Sequence, residues 1–228
     1  RGPVDDLINW LVVEPTFIGI TKGIRAFIYL YILNPLDQFI GGLPWWYVLL
    51  VFFVVVRASA GMGFAVVTVV SLLFTGAAGL WGVTMYTLAT ILASVSVCVV
   101  IGLPLGILAA SYRPVDAVIR PILDAMQTMP AFVYLIPVLM FFGGNPVTAV
   151  IATVIYAIPP MIRMTILGLR QLPTEINEVS NAFGSTTFQS LIKVKLPMAS
   201  PSIMLGVNQA VVMALAMQVI TPLVAGLG

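Results

Sequence analysis

The side chains that most often carry covalent, acid–base or metal chemistry are scarce in these 228 residues. There is no histidine and one cysteine, and the eight carboxylates are Asp5, Asp6, Glu14, Asp37, Asp116, Asp124, Glu175 and Glu178. A nucleophile needs a base within hydrogen-bond reach, and a metal needs several nitrogen, oxygen or sulfur ligands in one place. Cys98 lies inside an apolar run, where it reads as packing and can build neither a disulfide nor a thiolate metal site. No GxxxxGK[ST] loop occurs, so the chain cannot cradle ATP phosphates in that manner. The expectation is a protein with no catalytic residue, no metal and no cofactor of its own, whose energy source, if it does work, resides on a partner.

The residues whose spacing does suggest a task are polar ones, in EVSNAFGSTTFQSLIKVKLP (178 to 197). Ile176, Val179, Ala182 and Phe183 form an apolar stripe at helical spacing, with Thr174 placed as N-cap. Gly184 reads as the stop. Thr186 and Gln189 have capping-box spacing, and Phe188, Leu191 and Ile192 renew the stripe. Lys193 and Lys195 are expected to close this short helix at its negative end, with Pro197 in the first turn of the next. Spacing alone leaves two readings open: a helix pair lying on a lipid surface, or a protruding element whose stripe docks in a groove of a partner.

The surrounding elements are membrane spans. The chain is 61% hydrophobic and 8% charged, where a soluble domain is about a quarter charged. Apolar segments run over 44–56, 60–79, 82–110, 121–142, 147–169 and 198–222, which makes one polytopic all-α domain, 44–228. Arg57, then Arg113 and Arg120, then Arg170, Lys193 and Lys195 occupy alternate breaks, whereas the breaks at 76–81 and 143–146 carry no charge. By the positive-inside rule the first set is cytoplasmic, including the loop 171–197. The midplane is free of carboxylates, which argues against an ion-driven carrier. A net charge of +2 with dispersed basic residues implies no nucleic acid.

Residues 1–43 differ. FIGITKGIRAFIYLYIL (17 to 33) puts Lys22 and Arg25 on one helical face, with Asp5, Asp6, Glu14 and Asp37 around it, and is expected to lie in the interface, a tilted span being the alternative. The chain opens on Arg1 without a signal pattern, so a trimmed N-terminus is expected.

Glu178, Val179, Ser180, three residues, Gly184, nine residues, Val194, Lys195, Leu196 and Pro197 resemble the EAA loop of ABC importer permeases. Val179, Ser180 and Val194 stand where that family has Ala, Ala and Ile. QTMPAFVYLIP (127 to 137), VIATVIYAIPPMIR (150 to 163) and KVKLP followed by IMLGVNQ (203 to 209) are similar to the permease subunit of glycine betaine and proline betaine importers. The resemblance implies a type I ABC importer permease bundle in the bacterial inner membrane, with a cytoplasmic coupling element. Its docking residues would be Glu178, Val179, Ser180, Phe183, Gly184, Val194, Leu196 and Pro197. It further implies a homodimer, two ATP-binding subunits that carry ATP and Mg, and an extracytoplasmic solute-binding protein.

Pro130 and Pro137 flank Thr128, Phe132 and Tyr134, and broken helices often bracket a pathway; Pro104, Pro159 and Pro160 also fall within spans. For a betaine-like solute, aromatic faces would attract the quaternary ammonium. The candidate pathway residues are Thr128, Phe132, Tyr134, Asn208, Gln209, Met213 and Gln218. The last span departs from the family in reading ALAMQVITPLVAGLG (214 to 228), which introduces Gln218, Thr221 and Pro222. Choline, trimethylamine N-oxide or methionine therefore stay open as solutes, as do an ion-driven carrier, an osmotic channel and a membrane scaffold. Family members continue into one more span, so the last helix is expected to be missing.

Overall fold

The computed structural model describes residues 15–173 and 175–225. Thr174, expected as an N-cap, and Asp5, Asp6 and Glu14 lie outside them. Among the described residues every regular element is a helix: α1 (Pro15–Ile28), a π-turn (Tyr29–Leu33), α2 (Asn34–Gly41), α3 (Trp45–Ala60), α4 (Met62–Ala77), α5 (Trp81–Ser111), α6 (Arg113–Thr128), α7 (Ala131–Phe142), α8 (Pro146–Arg170), α9 (Glu175–Ala182), α10 (Thr187–Ser190), a second π-turn (Leu191–Lys195) and α11 (Leu196–Ala225). The chain divides into two compact units, Gly23–Ala93 and Arg1–Lys22 with Ser94–Gly228.

In the unit Gly23–Ala93, α3 and α4 form a hairpin through Gly61, whose φ of 95° only glycine adopts without strain. Ile40, Val48, Met85 and Ala89 form its buried centre, with Trp81 and Phe52 packed against them. The helical stretch Ile18–Gly41 meets α3 at 100°. α3 and α4 have 16 residues each, about 24 Å at 1.5 Å per residue, short of a hydrocarbon core of about 30 Å. The expected spans 44–56 and 60–79 are thus helices too short to cross unaided.

In the other unit, α8 and α11 form the most extensive packing pair. Gly206 lies against Met161 and Met164, and Gly168 against Ala199 and Ser202, so the two helices run antiparallel. Small residues make this approach possible: a Cβ on Gly206 would stand 2.9 Å from the Met164 Cβ and 3.3 Å from the Met161 Cα. Lipid tails are as apolar as these side chains, so close van der Waals contact holds such helices together. Pro104 is taken inside α5, Pro159 and Pro160 inside α8, and Pro137 inside α7, without ending any of them.

Two expectations are corrected. The span 121–142 is not one helix: Pro130 holds the preceding Met129 extended, and α6 and α7 meet at 99°. Nor do Lys193 and Lys195 close a helix, because the chain passes from α10 through the π-turn into α11 as one helical stretch, Thr187–Val224. Proline explains the wide turn. A proline at 197 has no N–H for the Lys193 carbonyl and would push against it, and the π-turn relieves this as the Leu196 N–H bonds to the Leu191 carbonyl, five residues back. The same device precedes Pro35, where the Asn34 N–H bonds to the Tyr29 carbonyl. Three helical stretches, α5, α8 and Thr187–Val224, are long and apolar enough to cross a membrane, and up to five if each bent pair counts as one.

Candidate functional site

The loop between α8 and α11 is a built element rather than a linker. Glu175 and Glu178 occupy the first turn of α9, where carboxylates face the positive end of the helix. The helix stops as expected at Gly184, whose φ is 70°. The Ser185 N–H bonds to the Ser180 carbonyl at 3.1 Å, the six-to-one bond of a Schellman end. Two residues on, the capping box is complete: Thr186 Oγ1 accepts from the Gln189 N–H at 3.3 Å, and Gln189 Oε1 accepts from the Thr186 N–H at 3.0 Å. A glycine bend between two closed ends fixes the angle between α9 and α10.

The apolar stripe turns outward. Phe183 is 85% exposed, Phe188 69% and Val179 55%, while Ser180 is the one residue of α9 that is buried among those described. Ser180 Oγ has no hydrogen-bond partner among the described residues. Ile176, Val179 and Phe183 line one side of a groove of about 440 Å³, and Gln189, Val194 and Met198 line the other. Leu196 and Pro197 sit at the junction of the π-turn and α11 and orient this element. An isolated protein does not gain by exposing a phenylalanine to water at the tip of a helix pair, so the arrangement suits reception by another surface.

Residues 102–228 match the family described as binding-protein-dependent transport system inner membrane component. The chain belongs to that family. It is 45% identical over 227 residues to the glycine betaine/proline betaine transport system permease protein ProW of Escherichia coli, with 99% of this chain and 63% of that protein covered. It is 39% identical to the glycine betaine transport system permease protein OpuAB of Bacillus subtilis, covering 99% of this chain and 79% of the relative. The trimethylamine N-oxide transport system permease protein TmoV of Ruegeria pomeroyi is 34% identical over 95% of this chain and 33% of its own length. The chain thus spans under two thirds of the Escherichia coli permease.

The chain carries a second polar cluster that joins three elements. Arg170, the last residue of α8, donates to Asp116 Oδ2 at 2.9 Å and to the Ala109 carbonyl near the end of α5 at 2.8 Å. Arg120 reaches the same carboxylate oxygen at 3.0 Å, and Arg163 pairs with Asp124. The guanidinium of Arg170 holds the Asp116 carboxyl below the usual carboxylate range. Arg163, which the sequence places about two turns inside a span, is therefore neutralised from α6. Spacing reveals the Asp116 and Arg120 pair four residues apart, but nothing local joins Asp124 to a residue 39 positions later.

The pathway candidates fall in separate places. Thr128 and Phe132 flank the break between α6 and α7, and both are exposed. Tyr134 donates to the Met126 carbonyl across that break, and its ring lies 6.2 Å from that of Tyr156. Met213 packs against Cys98, Ala157 and Ala210, and Gln209 is half-buried nearby on α11. Asn208 is exposed on a different side of the helix from the Ala210, Ala214 and Met217 line. Gln218 follows Met217, which packs with Ala131 and Leu135 of α7.

Proposed function

We propose that this chain is the membrane-spanning subunit of an ATP-driven importer for betaine-like quaternary ammonium solutes. The observation that carries the reading is the outward-facing Val179 and Phe183 pair on a helix ended by Gly184, in a chain 45% identical to a glycine betaine/proline betaine permease. The exposed face of α9 docks into a groove of an ATP-binding subunit. Two permease copies and two such subunits make the working unit, and an extracytoplasmic binding protein delivers the solute. ATP and Mg belong to the partner, and the permease converts the closing of the ATP-binding subunits into a rigid-body change of its bundle. Continuity of α10 with α11 supports that role, since a push on the element reaches a membrane helix without a flexible joint. The right angle between Ile18–Gly41 and α3 supports an in-plane position for the N-terminal helix if α3 stands upright.

The test is gentle extraction from the native membrane, identification of what co-purifies, and measurement of ATP hydrolysis with betaine-loaded binding protein. The expected outcome is an associated ATPase with stimulated turnover. Glu178→Lys and Gly184→Val should abolish uptake while leaving the permease inserted, and normal uptake in either would remove the coupling role. A lone permease without ATPase would turn α9 and α10 into surface helices. The likeness to a trimethylamine N-oxide permease keeps a second small methylammonium solute in contention, which binding-protein specificity decides.

A further inference from the structure

Many hydroxyls in these apolar helices find the carbonyl one turn back. Thr68, Ser71, Thr84, Thr87 and Thr165 each donate to the carbonyl four residues earlier, at 2.8 to 2.9 Å. Thr153 of α8 and Thr221 of α11 do not: both side chains are fully buried, and neither Oγ1 has a partner among the described residues. Gln218 Nε2 is buried and unpartnered as well. An orphaned polar group is costly where no water can reach it, and here the self-bonding alternative used elsewhere is forgone.

All three groups lie on the α8–α11 pair. Ala152 and Met217 belong to one buried cluster, so their chain neighbours Thr153 and Gln218 stand at neighbouring levels of the antiparallel pair. Thr221 is three residues beyond Gln218, on the same side of α11. All three fall within roughly 8 Å along the helix axes, at 1.5 Å per residue. Tyr156 packs against the same cluster as Met217, with the Tyr134 ring beside it.

We propose that Thr153, Gln218 and Thr221 form an uncharged donor set that receives the carboxylate of a small zwitterionic quaternary ammonium solute as it crosses the membrane, with the two tyrosine rings facing its cation. This deepens the importer reading and rests on it. Two hydroxyl donors and an amide donor suit an anion. The set contains no arginine or lysine, and a zwitterion needs none because it brings its own countercharge. Neutral donors also let the solute leave, which a full ion pair would oppose.

The experiment uses the whole complex of permease, ATP-binding subunits and binding protein in liposomes. Thr153→Val, Gln218→Leu and Thr221→Val remove the donors at nearly constant shape. Each should lower glycine betaine moved per ATP hydrolysed by about ten-fold, the loss of one hydrogen bond to a charged acceptor. ATP hydrolysis stimulated by betaine-loaded binding protein should persist, and the thermal midpoint should hold or rise, because an orphaned group has been removed. Unchanged transport would overturn the proposal, and so would a lowered midpoint with hydrolysis lost, which would make the three groups structural. A wild-type complex that hydrolyses ATP but moves no betaine would instead overturn the betaine reading, and the donor set with it.

Discussion

At the scale of single residues, Asp116 does the most to tie elements together, since it accepts from Arg170 and Arg120 while Arg170 also satisfies the end of α5. Its folded-state pKa is depressed, chiefly by the hydrogen bond from Arg170. The stabilisation it supplies is therefore complete above the unfolded value of about 3.9 and is lost as pH falls through the lower folded value. Asp116→Asn should destabilise the detergent-solubilised protein by about 1 kcal/mol or less at pH 7, as solvent-screened pairs do. The gap to wild type should close below about pH 4. Thermal unfolding followed from pH 7 to pH 3 measures this, and a gap that persists in acid would mean that the carboxylate acts through packing.

At the scale of elements, the joints decide the geometry. Thr186→Ala removes one half of the capping box and should cost about 1 kcal/mol locally. Hydrogen exchange at α10 should rise while exchange in the middle of α8 stays unchanged. The bundle has a sharper constraint at Gly106, where a Cβ would fall 2.5 Å from the Thr165 Cβ and 3.1 Å from the Ile162 carbonyl oxygen. Gly106→Val must push α5 off α8 and should lower stability by about 1 to 3 kcal/mol, the usual range for overpacking. The thermal midpoint in detergent reports it, and an unchanged value would mean that the helices part freely there.

At the scale of the whole molecule, sidedness and the docking face are read by the same chemistry. Cys98 is fully buried, so the native chain gives little background to a thiol reagent. Phe183→Cys, on the exposed tip, should react with a membrane-impermeant maleimide only from the cytoplasmic face. The reaction should slow when the ATP-binding subunit is bound. Ser180→Cys, on the buried side of α9, should react slowly in both states. Gly144→Cys, in the uncharged break between α7 and α8, should label only from outside. Labelling of Phe183→Cys from outside would reverse the orientation.

The sequence by itself determined much of this protein, because its strongest signals are local. Composition and apolar run length fix a membrane helix bundle, and the turn chemistry at Gly184, Thr186 and Gln189 depends on near neighbours alone. Twenty residues of spacing around Glu178 and Pro197 were enough to suggest the family to which the chain belongs. Run length could not show that the segment 121–142 turns by 99°, since Met129 and Pro130 read as one more kink in an apolar run. It could not show that Lys195 passes without a stop into α11, because a π-turn before proline leaves no mark in composition. Which face of α9 is buried, which acid answers Arg163, and that Thr153, Gln218 and Thr221 stand buried without a partner among the described residues were decided only by tertiary structure. Those facts depend on how helices far apart in the chain register against each other, and helix register is a property of packing that no single stretch of sequence contains.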